Sequence, residues 1–275
     1  MTPPQFEKRL AVLGLGKLGG ILLNAFTRQG LLPLARAVAT TGHEETAARR
    51  ARQFHLSVTT DNGAAAEQGD VILICVKPHN IRQVCGEIGP SLNRDKLVIS
   101  AVASVPTRFI EQALPEGIPV VRAMPNTPCA VGCGMTGLSK GRFADPSHLE
   151  TTRLLFETVG KTVIVDDKHM NAVTGLSASG PAFVYIILES LAEAGVKVGL
   201  PREVATLLAA QTTLGASKVV LESGHHPALL KDAVTTPAGC TIDGILELEE
   251  GKLRVTLIKA VVKATQRAGE LLVEE

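Results

Sequence analysis

The sequence predicts an α/β fold in which a doubly wound parallel sheet is followed by an all-helical domain. Three observations lead to this fold class. A short apolar run at residues 10–13 precedes closely spaced glycines and then a helical pattern. Apolar strands alternate with helical segments to about residue 166, which is typical of a parallel sheet with crossover helices. Beyond that point almost every segment has helical periodicity, so we predict two domains, at 1–166 and 167–275.

The composition is that of an ordinary soluble globular protein. The chain has 275 residues, 45% of them hydrophobic, and a net charge of +1. It contains no block of like charge and no tryptophan, so we expect no nucleic-acid partner. We find no signal peptide at residues 1–8 and no long apolar stretch free of charges or helix breakers. These features predict a cytoplasmic protein without a membrane partner.

The five cysteines indicate free thiols. Their number is odd and none of them forms a C-x-x-C pair, an arrangement that fits a reducing compartment. Cys129 and Cys133 lack the further ligands that a zinc site needs. We therefore expect no metal.

The clearest chemical signal is the glycine turn after residues 10–13. Three glycines have G-x-G-x-x-G spacing between an apolar strand and a predicted helix at 17–28, which is the context of a Rossmann-type dinucleotide-binding turn. The first glycine permits the bend, the second lets the backbone approach a pyrophosphate, and the third lets helix and strand pack closely. We assign cofactor contacts to the whole turn: Gly14, Leu15, Gly16, Lys17, Leu18 and Gly19.

A second match to the same spacing has no such context. Gly132, Gly134 and Gly137 follow no apolar strand, and the residues after them cannot open a helix. We interpret this run as a glycine-rich strand or loop.

The remaining elements of the first domain follow in alternation. After the first strand and helix, strands are predicted at 35–40, 57–58, 71–76, 97–100, 119–123, 135–138 and 163–165. Helices are predicted at 44–54, 81–88 and 107–114, with a further helix that begins at Asp145 and Pro146. Ligands of such sheets bind beyond the carboxyl ends of the strands. The further cofactor contacts that we predict in these loops are Thr40, Asn62, Val76, Lys77, Pro78 and Ala103.

The loop after the second strand favours NADP(H) over NAD(H). An NAD-binding protein usually has Asp or Glu there to hold the ribose 2′-hydroxyl, whereas this chain has Thr40, Thr41, Gly42 and His43. Hydroxyl groups and His43 are suited to receive a 2′-phosphate, with Arg49 further along the next helix. The alternative is that Glu44 reaches the ribose, which would admit NAD(H).

The helical half predicts a homo-oligomer. Its predicted helices lie at 171–177, 181–195, 201–223, 227–234 and 252–273, and the run at 183–188 is apolar on several faces. A small helical domain cannot bury that much apolar surface alone. A homodimer with interlocking helices, or an assembly of dimers, would cover it.

One stretch of the helical half is not explained by packing. Residues 231–244 end one helix, pass through Pro-Ala-Gly and open another helix with Cys240 and Thr241. The N–H groups of Gly239, Cys240 and Thr241 would form an anion site, to which Thr236 and Thr241 add hydroxyl groups. The alternative is a plain helix–helix connection with a threonine cap.

At this point the chain resembles the pyrroline-5-carboxylate reductase family over nearly its whole length. The motifs that carry the resemblance are 14–19 (GLGKLG), 76–78 (VKP), 122–128 (RAMPNTP), 132–137 (GCGMTG), 179–183 (SGPAF), 226–227 (HP), 230–232 (LKD) and 235–244 (TTPAGCTIDG). The last motif departs from the family pattern: Thr236 replaces serine, Ala238 replaces the first glycine, and Cys240 replaces threonine or alanine.

The resemblance implies an oxidoreductase that acts in proline biosynthesis. Its reaction would be the NADPH-dependent reduction of the cyclic C=N of 1-pyrroline-5-carboxylate to L-proline. The implied substrate-binding residues are Thr236, Gly239, Cys240 and Thr241, and Thr241 would also be the catalytic hydrogen-bond donor or proton relay. The alternatives are a reductase of another cyclic imine on the same fold and a non-catalytic NADPH-binding sensor.

Overall fold

The structure is a computed structural model that describes residues 6–271. These residues form two compact units. The sheet unit consists of residues 6–179 and 263–271, and the helical unit is Gly180–Val262.

The sheet unit contains one eight-stranded sheet with strand order β3-β2-β1-β4-β5-β6-β7-β8. The strand order reverses at β1, which lies between β2 and β4, and such a switch point is where doubly wound sheets bind ligands. This architecture confirms the predicted fold class. The strands are β1 Leu10–Leu13, β2 Ala37–Thr40, β3 Ser57–Thr59, β4 Val71–Ile74, β5 Leu97–Ser100, β6 Val120–Met124, β7 Gly134–Lys140 and β8 Gly160–Ile164.

The expectation of a wholly parallel sheet was wrong at one pair of strands. β6 and β7 are antiparallel, with Met124 opposite Gly137, while β7 and β8 are again parallel. The connection between β6 and β7 holds only a short 3₁₀ turn, and parallel strands need a longer crossover. Gly132 ends that turn at φ 72°. The second glycine-rich match therefore forms a turn and a strand, as the sequence indicated.

Both faces of the sheet are covered by apolar side chains. Leu10 and Val12 pack into one cluster with Phe26, while Ala11 and Leu13 pack into a second cluster. The alternation follows from the two-residue period of a strand. The helices that belong wholly to this unit are α1 Lys17–Arg28, α2 Glu44–Phe54, α3 Asn62–Gln68, α4 Ile81–Ile88, α5 Thr107–Ala113, α6 Pro146–Glu157 and α7 Met170–Val173, the last followed by a π-helical turn at Thr174–Ala178.

Several elements differ in extent or type from the sequence-based expectation. A turn was expected after Asp61, but the chain continues as α3, and the Asp61 carboxylate accepts a hydrogen bond of 2.9 Å from the Ala64 N–H. β4 ends at Ile74 rather than at residue 76, so Val76 and Lys77 lie in the loop beyond it.

The helical unit is built by close approach of small residues. Ala192, Ala205 and Ala209 are buried, and a Cβ on Gly195 would lie 2.8 Å from the Ala205 Cβ. Small side chains at these points let α8 and α9 pack together. The unit contains α8 Gly180–Lys197, α9 Arg202–Ser223, α10 Pro227–Ala233, α11 Cys240–Glu250 and the first part of α12 Leu253–Glu270.

Many large apolar side chains of the helical unit are exposed. The following are at least 57% exposed: Tyr185, Ile186, Leu207, Leu214, Leu221 and Leu246. Two helical stretches, Asp167–Lys197 and Arg202–Ser223, are long and apolar enough to cross a membrane by length and composition. The expectation that the chain has no such stretch was therefore wrong by this measure. Helices that pack against another protein chain have the same length and composition.

Candidate active site

The glycine turn after β1 has the geometry that its sequence predicts. Gly14 has φ 92°, and its N–H donates a hydrogen bond of 3.2 Å to the Thr40 hydroxyl. A Cβ on Gly19 would collide with the Gly14 carbonyl, whereas a Cβ on Gly16 would meet no atom within 4 Å. Gly14 and Gly19 are therefore required by the fold, and Gly16 leaves open space at the start of α1.

A cavity of about 590 Å³ opens beside this turn at the carboxyl ends of β1, β2 and β4. We call it the cofactor cavity. It brings together seven of the twelve predicted cofactor residues: Gly14, Leu15, Gly16, Thr40, Asn62, Val76 and Lys77.

The other five predicted residues do not line this cavity. Gly19 is buried and Leu18 packs against the core, so both support the turn from behind. Lys17 is exposed, Pro78 begins a 3₁₀ turn, and Ala103 is half-buried after β5. Their contact with a cofactor stays a prediction.

Hydrogen bonds fix the polar groups at the end of β2. The buried Thr40 hydroxyl donates a hydrogen bond of 2.6 Å to the Asn62 side-chain oxygen. The Asn62 amide donates one of 2.6 Å to Glu87, and Gln83 donates one of 2.7 Å to the same carboxylate. These side chains are thereby held in place at the cavity wall.

Sequence reasoning missed several residues of the cavity wall. Gln83 and Glu87 lie one turn apart on α4, and Thr46 and Arg50 lie one turn apart on α2. The helical period could have placed each pair on one face, but the sequence does not give the rotation of that face. The lining residues absent from the sequence-based assignment are Thr46, Arg50, Thr60, Cys75, Gln83, Val84 and Glu87.

Glu44, the alternative ribose ligand considered from the sequence, is hydrogen-bonded to another residue. Glu44 accepts a short hydrogen bond from the Thr60 hydroxyl and does not line the cofactor cavity. Arg49 is exposed and also lies outside the cavity lining. The cavity wall at the end of β2 is instead formed by Thr41, Gly42 and His43.

The residues present fit a phosphorylated dinucleotide. The space beside Gly16 is free of side chains, and Arg50 has a buried Nε without a hydrogen-bond partner among residues 6–271. Both features suit an anionic ligand. Cys75 also lines the cavity, and burial raises the pKa of its thiol to about 12, so it is neutral there.

A buried ion pair joins β6 to the segment that follows β8. Arg122 on β6 is 2% exposed, and its Nη1 lies 3.1 Å from the Asp167 carboxylate. The same carboxylate accepts hydrogen bonds from the N–H and the hydroxyl of Thr107. Burial lowers the pKa of Arg122, while the Asp167 charge opposes that shift. Through Asp167, the ion pair and these hydrogen bonds hold the residues that follow β8 against β6 and α5.

The turn at 236–241 lies in the helical unit and connects α10 to α11. The Gly239 N–H donates a hydrogen bond of 3.1 Å to the Thr236 carbonyl, so the expectation that this N–H is free was wrong. The N–H groups of Cys240 and Thr241 begin α11 and have no partner in the described part of the chain. A ligand carboxylate therefore has two N–H donors here.

Two neighbouring positions of this turn favour glycine for different reasons, but only Gly239 is a glycine, and position 238 is an alanine. A Cβ on Gly239 would collide with the Thr236 hydroxyl, so the glycine leaves room for that group. Ala238 has φ 56°, in the left-handed region that disfavours residues with a Cβ. The departure from the family pattern at Ala238 thus has a physical consequence, which is local backbone strain.

Two family models match the chain. Residues 167–271 match the model described as pyrroline-5-carboxylate reductase dimerisation. Residues 9–104, which contain the glycine turn, match the model described as NADP oxidoreductase, coenzyme F420-dependent.

Nearly the whole chain is also similar to curated relatives. It is 38% identical to pyrroline-5-carboxylate reductase of Methanosarcina acetivorans, over 96% of this chain and 98% of that protein. It is 39% identical to the enzyme of the same name from Pisum sativum, over 95% of each chain. The crystal structure of Plasmodium falciparum pyrroline carboxylate reductase with NADP bound superposes with a TM-score of 0.88 at 28% identity, covering 98% of this chain and 99% of that one. The chain therefore belongs to the pyrroline-5-carboxylate reductase family.

Proposed function

We propose that this protein reduces 1-pyrroline-5-carboxylate to L-proline with NADPH, which is the last step of proline biosynthesis. The observation that carries the proposal is the turn at 236–241, which leads into an eleven-residue helix. It contains two hydroxyl groups and two N–H groups that have no partner within residues 6–271. Family membership over nearly the whole chain supports it.

The sheet unit would hold the cofactor. The backbone of the glycine turn and the start of α1 would receive the pyrophosphate, and Thr40, Asn62, Val76 and Lys77 would line the nucleoside part. A bound NADPH supplies a hydride. The remaining predicted contacts, Lys17, Leu18, Gly19, Pro78 and Ala103, belong to the same proposal.

The 236–241 turn would hold the substrate. Its carboxylate would accept hydrogen bonds from the N–H groups of Cys240 and Thr241 and from the Thr236 hydroxyl, with Gly239 giving the turn its shape. During reduction the electrons of the C=N bond move to the nitrogen, which gains a proton. The Thr241 hydroxyl has no hydrogen-bond partner among residues 6–271, so it is available to donate to that nitrogen or to relay a proton from water.

The helical unit would form a homodimer, or an assembly of dimers. Its exposed apolar side chains need cover, and the family model that matches this region describes dimerisation. We propose a functional division near residue 166, with residues 1–166 binding the dinucleotide and 167–275 forming the dimer and the substrate site. Five unpaired cysteines support a cytoplasmic location.

One observation favours testing a second substrate. The strained Ala238 and the exposed Cys240 both lie in the substrate turn, where they alter its shape relative to the family pattern. A different cyclic imine is therefore the second candidate. A non-catalytic NADPH sensor has no need of the hydroxyl groups in this turn.

A turnover assay separates these functions. NADPH oxidation is followed with 1-pyrroline-5-carboxylate and with its six-membered imine analogue at matched concentrations. We expect a kcat/KM for 1-pyrroline-5-carboxylate at least about tenfold higher, since a ring of the wrong size loses near-attack geometry. A preference for the six-membered ring would favour the second candidate, and NADPH binding without turnover would favour the sensor.

A further inference from the structure

Two adjacent arginines on α2 have different environments. Arg50 lines the cofactor cavity, whereas Arg49 is exposed and lies outside it. Arg50 is three residues after the buried Ala47 and four residues before Phe54, which packs against the core. Helical spacing therefore places Arg50 on the inner face of α2 and Arg49 beside that face.

The guanidinium of Arg50 is held on one side and lacks partners on the other. Its Nη1 donates a hydrogen bond of 2.7 Å to Gln53, and its Cζ lies 5.9 Å from the centroid of the Phe54 ring. The Nε is buried without a hydrogen-bond partner, and no carboxylate pairs with this arginine in the described part of the chain. A buried donor without an acceptor and a guanidinium without a counter-charge are both costly, so this arginine is suited to an anionic group supplied by a ligand in the cavity that it lines.

The cavity wall around Arg50 is suited to an anion. Thr41, His43 and Thr46 line the same cavity as Arg50, and Glu44, at the start of the same helix, accepts a hydrogen bond from Thr60. The loop after β2 is where a doubly wound sheet places the ribose of a bound dinucleotide. A 2′-phosphate on that ribose would add a charge at the place where the chain supplies a cation and hydroxyl groups.

We propose that Arg50 binds the 2′-phosphate of NADP(H) and is the residue that sets the preference for NADP(H) over NAD(H). This inference rests on the proposed function only in requiring that the cavity binds a nicotinamide dinucleotide. The planar guanidinium supplies a positive charge and several N–H donors, which suit the oxygens of a phosphate. Contact with Phe54 and the hydrogen bond to Gln53 hold the group in position and lower the entropic cost of binding.

The test compares two variants that remove the same charge. R50M and R49M are prepared as full-length proteins, and dissociation constants for NADP⁺ and NAD⁺ are measured by calorimetry. R50M should weaken NADP⁺ binding by roughly ten- to hundredfold while NAD⁺ binding changes less than about threefold, because only NADP⁺ loses a charge-assisted contact. R49M should leave both constants within about threefold.

A third variant and a fragment ligand sharpen the assignment. R50K keeps a cation but loses the planar group with several N–H donors, so its NADP⁺ affinity should lie between those of the unaltered protein and R50M. The fragment 2′,5′-ADP should lose affinity in R50M, while 5′-ADP should not. Thermal unfolding of each variant shows whether the fold is intact.

The possible results separate this inference from the proposed function. Equal weakening of NADP⁺ and NAD⁺ in R50M, or an unchanged ratio between them, would overturn the role of Arg50 even if the protein reduces 1-pyrroline-5-carboxylate. Loss of NADP⁺ affinity in R49M but not in R50M would move the phosphate site to Arg49. A changed ratio in R50M supports the inference even if no reduction is observed.

Discussion

The cofactor cavity and the 236–241 turn differ in how their polar groups are held. In the cavity, Thr40 is buried and hydrogen-bonded to Asn62, which in turn is bonded to Glu87. In the turn, Thr236 and Cys240 are exposed, and the N–H groups that would bind substrate have no partners among residues 6–271. Most of the cavity wall is thus organised before a ligand binds, whereas the turn becomes fully hydrogen-bonded only with a ligand.

Each of the two regions also contains a residue with a positive φ angle, but the residue type differs. Gly14 has φ 92° and is a glycine, while Ala238 has φ 56° and is not. A left-handed residue with a Cβ costs about 1–2 kcal/mol. Strain of this size is tolerated in functional sites, and here it lies in the turn that would hold substrate.

The largest effect on stability is expected in the sheet unit. Asp167→Asn leaves the Arg122 guanidinium buried without a carboxylate, and breaking such a pair costs about 3–5 kcal/mol of unfolding free energy. Urea denaturation measures the loss. The exposed pair Arg153–Glu157 is the matched control, and Glu157→Gln should cost less than about 1 kcal/mol. Equal effects of the two changes would contradict a structural role for Asp167.

Thr241→Val should have the largest effect on catalysis. The change keeps the β-branched shape and the N–H but removes the hydroxyl, so kcat should fall roughly ten- to thousandfold while KM stays nearly constant. The melting temperature should change little, because the hydroxyl has no hydrogen-bond partner in the described part of the chain. Thr241→Ser restores the hydroxyl and should retain most activity. A normal kcat for Thr241→Val would mean that the proton comes from another source.

Thr236→Val should affect binding rather than the chemical step. The hydroxyl at this exposed position is assigned to the substrate carboxylate, an interaction that is present equally in the ground state and the transition state. We expect KM to rise about three- to thirtyfold with a smaller change in kcat. A kcat effect as large as that of Thr241→Val would reverse the two assignments.

Ala238→Gly should have the smallest effect, and it should stabilise the protein. Glycine removes the Cβ strain at φ 56° but increases the entropy of the unfolded chain, so the net gain should be about 0.5–1 kcal/mol. Ala210→Gly, at an exposed position inside α9, is the control and should destabilise by about 1 kcal/mol. Destabilisation by both changes would show that Ala238 is not strained.

These comparisons show what could be predicted from sequence. The glycine turn and the start of α11 were predicted because their signals are local: glycines after an apolar strand, and a Pro-Ala-Gly break before a helix. The role of Arg50 and the Asn62–Glu87 hydrogen bond depend on how α2 and α4 are rotated against the sheet, which tertiary packing decides. The reversed direction of β7 likewise depends on the length and shape of the connection after β6.

The most direct test of the central claim is an isotope experiment. The protein is incubated with 1-pyrroline-5-carboxylate and NADPH deuterated at C4 of the nicotinamide, and the amino-acid product is analysed by mass spectrometry and NMR. Both C4 hydrogens of the NADPH are replaced by deuterium, so the label is transferred whichever face of the nicotinamide reacts. If the hydride is transferred to the C=N carbon, the product is L-proline with a single deuterium at C5. Formation of unlabelled proline, or oxidation of NADPH without formation of proline, would contradict the claim that this chain is a pyrroline-5-carboxylate reductase.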